Sequence, residues 1–161
     1  MKINSTSSES PIVCDMTTAL DTAPERVAEY ERLFSGSFMG RERTDGAIRF
    51  RFESEEGVEE WVRDLAVREK ACCAFFTFNV TKHGEEIWWD AFVIDDAIAR
   101  QILDEFYSLP ETVTEGVHAL HSRMADKGLD MVINDRGTAR FGADDELGPS
   151  TLDGSTKQPA P

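Results

Sequence analysis

Ala47-Ile48-Arg49-Phe50-Arg51-Phe52-Glu53 follows directly on Asp45-Gly46. Ile48, Phe50 and Phe52 alternate with Arg49 and Arg51, the two-residue period of a strand with one buried face. Asp-Gly ahead of such a run is the strongest short hairpin signal, so Ser37 to Thr44 is expected to pair with Ala47 to Glu53. Upstream, a short strand spans Pro11 to Met16. A helix follows it, with Thr22 and Glu25 spaced as a capping box, Pro24 in its first turn and Gly36 as its stop. Val27, Tyr30, Leu33 and Phe34 form its apolar stripe. Downstream, Val58, Trp61, Val62, Leu65 and Cys72 recur at helical spacing over Glu55 to Cys72. A second hairpin pairs Phe75 to Thr81 with Ile87 to Ile94 around His83-Gly84. Helices then follow over Asp96 to Tyr107 and Glu111 to Lys127, the second capped by Thr112 and Glu115.

The first six elements read βαββαβ, so the expected fold is α+β, a ferredoxin-like sandwich with an added edge strand and C-terminal helices. In that topology the first and fourth strands are neighbours. The expected organisation is a disordered 1–10, a ferredoxin-like 11–108, a helical extension over 109–140 and a disordered tail over 141–161, where Gly, Pro, Asp, Ser and Thr dominate. The predicted fifth strand is apolar on both faces. Its second face is therefore expected to be covered by the C-terminal helices or by a second subunit in a homodimer.

Composition narrows the function. Thirty-one Asp and Glu against 17 Lys and Arg leave a net charge of −14, which argues against direct nucleic-acid binding. No stretch approaches the ~20 apolar residues needed to span a bilayer, and the polar start lacks the apolar region of a secretory signal. A cytoplasmic setting without membrane contact is the expectation. Three Cys do not make a disulfide framework, and in a reducing compartment thiols serve more often as core residues, ligands or catalytic groups.

Cys72-Cys73 sits where the second helix joins the fourth strand, and Cys14 lies near the end of the first strand. In the expected topology all three sulfurs gather at one end of the sheet. Glu69 precedes the pair by one turn and falls on the core-facing side, where an unpaired carboxylate is costly. A proton, a cation or a metal must compensate it. Thiolates are soft ligands that prefer Hg(II), Cu(I), Zn(II) or As(III) to hard ions. Asp15 and Met16 add an acid and a thioether beside Cys14.

Glu69-x-x-Cys72-Cys73-x-Phe75, preceded by Pro11-Ile-Val-Cys14, resembles a family of small prokaryotic proteins. Similar segments occur in the neighbourhood of mercury-type heavy-metal resistance and as extensions of MerR-type regulators. The resemblance spans about Pro11 to Tyr107 and implies soft-metal handling at Cys14, Glu69, Cys72 and Cys73. The regulators' DNA-binding helices have no counterpart in this chain. Organomercurial lyases share the ingredients only, a thiolate pair that holds mercury and a carboxylic acid, here Glu69 or Asp15, that protonates the departing carbon.

Three functions of different class fit these residues. The first is capture of a soft metal or metalloid for sensing, sequestration or transfer. The second is a thiol-dependent enzyme with Cys72 or Cys73 as nucleophile and Glu69 or Asp15 moving protons. The third is an interaction module with structural cysteines. His118 and His121, spaced i, i+3, would complete a mixed sulfur–nitrogen site if their helix folded over the thiols. Arg41, Arg43, Arg49 and Arg51 flank the Asp45-Gly46 turn and are expected on one face, as a solvated surface offsetting the chain's own carboxylates. No nucleotide-binding loop, serine-hydrolase elbow or H-E-x-x-H pair occurs.

Overall fold

The computed structural model describes residues 12–44 and 46–143. Its elements are β1 (Val13–Asp15), α1 (Ala23–Ser37), β2 (Phe38–Thr44), β3 (Ala47–Glu53), α2 (Val58–Cys72), β4 (Phe76–His83) and β5 (Glu86–Val93). There follow α3 (Ala97–Tyr107), α4 (Leu109–Thr112), a 3-10 turn over Val113–Glu115, α5 (Gly116–Asp126), β6 (Leu129–Ile133) and β7 (Ala139–Ala143). The class is α+β.

Local chemistry sets most of these boundaries. The Thr22 hydroxyl accepts from the Glu25 N–H at 3.2 Å while the Thr22 N–H donates to the Glu25 carboxylate at 3.0 Å, the reciprocal capping box. The Asp96 carboxylate likewise accepts from the N–H groups of Ile98 and Ala99. Helix α2 starts at Val58 rather than Glu55 because Gly57 takes a left-handed φ of +86°, a conformation that cannot propagate a helix. Gly116, at φ +88°, breaks the expected Glu111–Lys127 helix for the same reason and leaves α5 without a side-chain cap.

The strands form two antiparallel sheets, β2-β3-β5-β4 and β1-β7-β6. The ferredoxin-like order is thereby corrected. It requires the first strand inside the main sheet, whereas β1 is only three residues long and pairs with β7, Cys14 opposite Phe141. The C-terminal hairpin supplies that partner. Residues 109–140, expected as a helical extension, also contain β6, whose Leu129 and Met131 are buried while Asp130 is exposed. β7 runs on to Ala143, into the stretch expected to be tail. Residues 1–11, Asp45 and 144–161 lie outside the described residues, and so do the expectations of disorder that fall on them.

One face of the four-stranded sheet builds the core. Phe50, Phe52, Ile87 and Trp89 are fully buried there, together with Leu33 of α1 and Val62 and Leu65 of α2. The Trp89 ring meets Phe106 of α3 at 5.4 Å and Phe78 at 5.6 Å. Val113, Met124 and Leu129 join the same cluster, so the C-terminal elements share the core.

Among the described residues, the other face is left open. The C-terminal helices do not cover the outer side of β5, where Phe92 is 42% exposed. Trp88 is half-buried between the Arg49 guanidinium, 3.9 Å from its ring, and His83 at 3.7 Å. Arg49 pairs with Asp90 and Glu42, and Arg51 with Glu42 and Glu86. Arg41 and Arg43 stand opposite Phe50 and Ile48, not opposite Arg49 and Arg51 as expected. The two-residue connection from Thr44 to Ala47 sets that register. Arg41 therefore reaches the Tyr107 carbonyl at 2.6 Å and Glu111, and Arg43 pairs with Asp104.

Candidate functional site

Alternation along β1 turns Cys14 inward, to 1% exposure, and leaves Val13 and Asp15 on the opposite side. Cys72 closes α2. Cys73 caps it, donating its N–H to the Glu69 carbonyl at 2.7 Å and accepting from the Phe76 N–H at 3.0 Å. The chain passes from helix to strand within four residues, which holds both cysteines at the sheet end.

Cys14 and Cys73 form a disulfide, with Cα atoms 4.3 Å apart and a sequence separation of 59. Cys72 is a free, buried thiol beside them. The convergence expected from sequence is present, but by another route. β1 arrives through the small sheet rather than as a neighbour of β4 in the large one. One bridge and one free thiol also replace the three free thiols expected of a reducing setting.

Glu69 has found its compensating cation. One of its oxygens, Oε2, accepts from Arg26 Nη1 at 2.8 Å and from the Tyr30 hydroxyl at 2.8 Å. Arg26 turns its Nε and Nη2 onto both oxygens of Asp21, at 2.6 and 2.9 Å. The Arg26 side chain is only 6% exposed, so this network is largely removed from water. Burial opposes the Arg26 charge, but hydrogen bonding and charge from Asp21 and Glu69 outweigh it and raise the guanidinium's affinity for its proton. The Asp21 carboxyl is held below its ordinary range by its hydrogen bonds to Arg26. Burial, then Glu69, pushes the Tyr30 hydroxyl well up.

Arg26, Tyr30 and Glu69 line one cavity of about 110 Å³ together with all three cysteines. Its remaining wall is apolar, with Phe76, Ile102 and Phe106 among the lining side chains. Burial and the Glu69 charge push the Cys72 thiol above its ordinary range, partly offset by Arg26. Glu69→Gln removes the like charge, so it is expected to speed alkylation of Cys72 by iodoacetamide several-fold at mildly alkaline pH. Mass spectrometry of the disulfide-intact protein reads the rate, with circular dichroism as a fold control; an unchanged rate contradicts the proposed coupling.

Three sequence candidates stand elsewhere. Asp15 accepts from the Thr17 N–H and hydroxyl at 2.9 and 2.7 Å and pairs with Arg140, on the far side of β1 from the cavity. His118 and His121 are exposed on α5 and do not line the cavity. The helix does come over the thiols, but it presents Leu120 and Met124 to them. Among the described residues no group of three or more His, Cys, Asp or Glu is arranged to hold a metal ion. Arg26 was missed from sequence. Its trace was indirect: a core-facing Glu69 that demanded a cation, and an Arg one turn before Tyr30 on the buried stripe of α1.

The chain matches no protein-family model, no curated protein and no solved structure, so the chemistry rests on the residues themselves. No helix among the described residues is long and apolar enough to cross a membrane.

Proposed function

We propose that this protein captures a soft metal ion or metalloid at Cys14, Cys72 and Cys73, for sensing, sequestration or transfer. The observation that carries this is the placing of three sulfurs from distant segments on one small cavity, two of them within bonding distance. Any ion that two thiols can grip in place of their disulfide finds a third sulfur in the same wall. The resemblance of Glu69-x-x-Cys72-Cys73-x-Phe75 to segments near heavy-metal resistance points the same way.

Capture requires the Cys14–Cys73 bond to be open. An external dithiol supplies two electrons and two protons, leaving Cys14 and Cys73 as thiols and becoming a disulfide itself. Each thiol then exchanges its S–H bond for a sulfur–metal bond, releasing its proton to solvent for a metal cation or, for arsenite, to an arsenic-bound hydroxyl that leaves as water. A reducing, cytoplasmic compartment suits this cycle. Glu69 holds Arg26 at the cavity wall, where the guanidinium stands as the positive neighbour of the thiolates. Both contacts of Glu69 are with donors, so they favour a positioning role over proton delivery to a departing carbon.

Arsenite is the probe of choice, because trivalent arsenic is soft and takes thiolate sulfur in preference to imidazole or carboxylate. Native mass spectrometry under anaerobic conditions should show one arsenic per chain in the reduced protein and none in the oxidised one. Reduced protein that takes up no arsenic, with all three thiols confirmed free, would overturn the proposal.

A further inference from the structure

The same cavity carries a second kind of sulfur. Met16, Met124 and Met131 line it, arriving from the end of β1, from α5 and from β6, and each is buried. The chain has five Met and three Cys, so the cavity gathers every cysteine and most of the thioethers. A single Met there is ordinary gap-filling. The donor inventory of the wall is more selective. No imidazole lines it, and its two carboxylates already serve arginines, Glu69 with Arg26 and Glu105 with Arg123 at 3.0 Å.

Zinc sites are built from Cys, His and carboxylates, whereas thioethers are ligands for Cu(I). Resting on thiol capture as proposed above, we infer that the cargo this cavity selects is Cu(I), held by thiolate sulfur together with at least one of Met16, Met124 and Met131. A singly charged ion also suits an apolar wall, because thioethers extend the coordination offered by the thiolates without adding charge.

Methionine and leucine differ little in volume, so Met124→Leu/Met131→Leu and Met16→Leu should preserve the fold. Cu(I) affinity is measured by anaerobic competition with a chromophoric Cu(I) chelator on the reduced full chain, and arsenite uptake is followed in parallel. At least one of these variants is expected to bind Cu(I) about tenfold or more weakly than wild type, with arsenite uptake unchanged. Selenomethionine-labelled protein should show a copper–selenium contact in X-ray absorption. Equal Cu(I) affinity in all variants, or no copper–selenium contact, overturns the inference while arsenite capture stands. Failure to bind either Cu(I) or arsenite overturns both.

Discussion

Reducing the Cys14–Cys73 bond is expected to lower the unfolding free energy by about 4 kcal/mol, the chain-entropy value for a loop of this length. The bond closes a loop of sequence separation 59, spanning α1, the first hairpin and the whole of α2. It is the covalent tie between the small sheet and the helix–strand junction that leads into β4, an edge strand of the large one. Without it, β1 is a three-residue strand held by β7 and by burial of Ile12, Cys14 and Met16. A loss of that size is a large fraction of the roughly 5–15 kcal/mol that stabilises a typical domain. Denaturant unfolding with and without reductant measures it, and Cys14→Ala should reproduce the reduced midpoint. A shift below about 1 kcal/mol, far under the chain-entropy value, would mean that the bond ties together segments already fixed by packing.

Arg26→Met should cost about 3–5 kcal/mol, the usual penalty for removing one partner of a buried ion pair. Glu69 would then keep only Tyr30, and Asp21 only the 3.3 Å contact with Arg68. Adding Glu69→Leu to Arg26→Met should restore much of the loss, because an apolar pair leaves no charge stranded in the cavity wall. Equal stability of the single and double variants would show that Glu69 is adequately hydrated without Arg26. The pH dependence carries the same sign. Asp21 is depressed in the folded protein, so its contribution is present above its ordinary value of 3.8 and is lost as pH falls through the lower, folded value. Arg26→Met should flatten that acid limb of the stability curve.

Features of short range were legible in the sequence. The Thr22–Glu25 capping box, the Ile48-Phe50-Phe52 alternation and the α2 stripe each rest on contacts within a few residues, where residue spacing determines geometry. The strand order was not legible. Which edge β1 joins depends on the hairpin made by β6 and β7, more than a hundred residues away, and five-residue strands after Gly128 carry little periodicity. Arg41 and Arg43 were misplaced by one residue of register, which in a sheet moves a side chain to the opposite face. The site was half legible. Adjacent cysteines and a core-facing Glu69 marked its position, but spacing could not say that Cys14 bonds Cys73, nor that Arg26 rather than a metal answers Glu69. His118 and His121 were ligands only on the condition that their helix turned them inward, and helical spacing alone does not say which face of α5 does so; both are exposed.

The central claim is that Cys14, Cys72 and Cys73 act as one site. X-ray absorption at the arsenic edge of the reduced, arsenite-loaded protein tests it most directly. A shell of three sulfurs in wild type that falls to two in Cys72→Ser is the predicted result. A sulfur shell that Cys72→Ser leaves unchanged would contradict it, assigning any bound arsenic to Cys14 and Cys73 alone and returning Cys72 to the core.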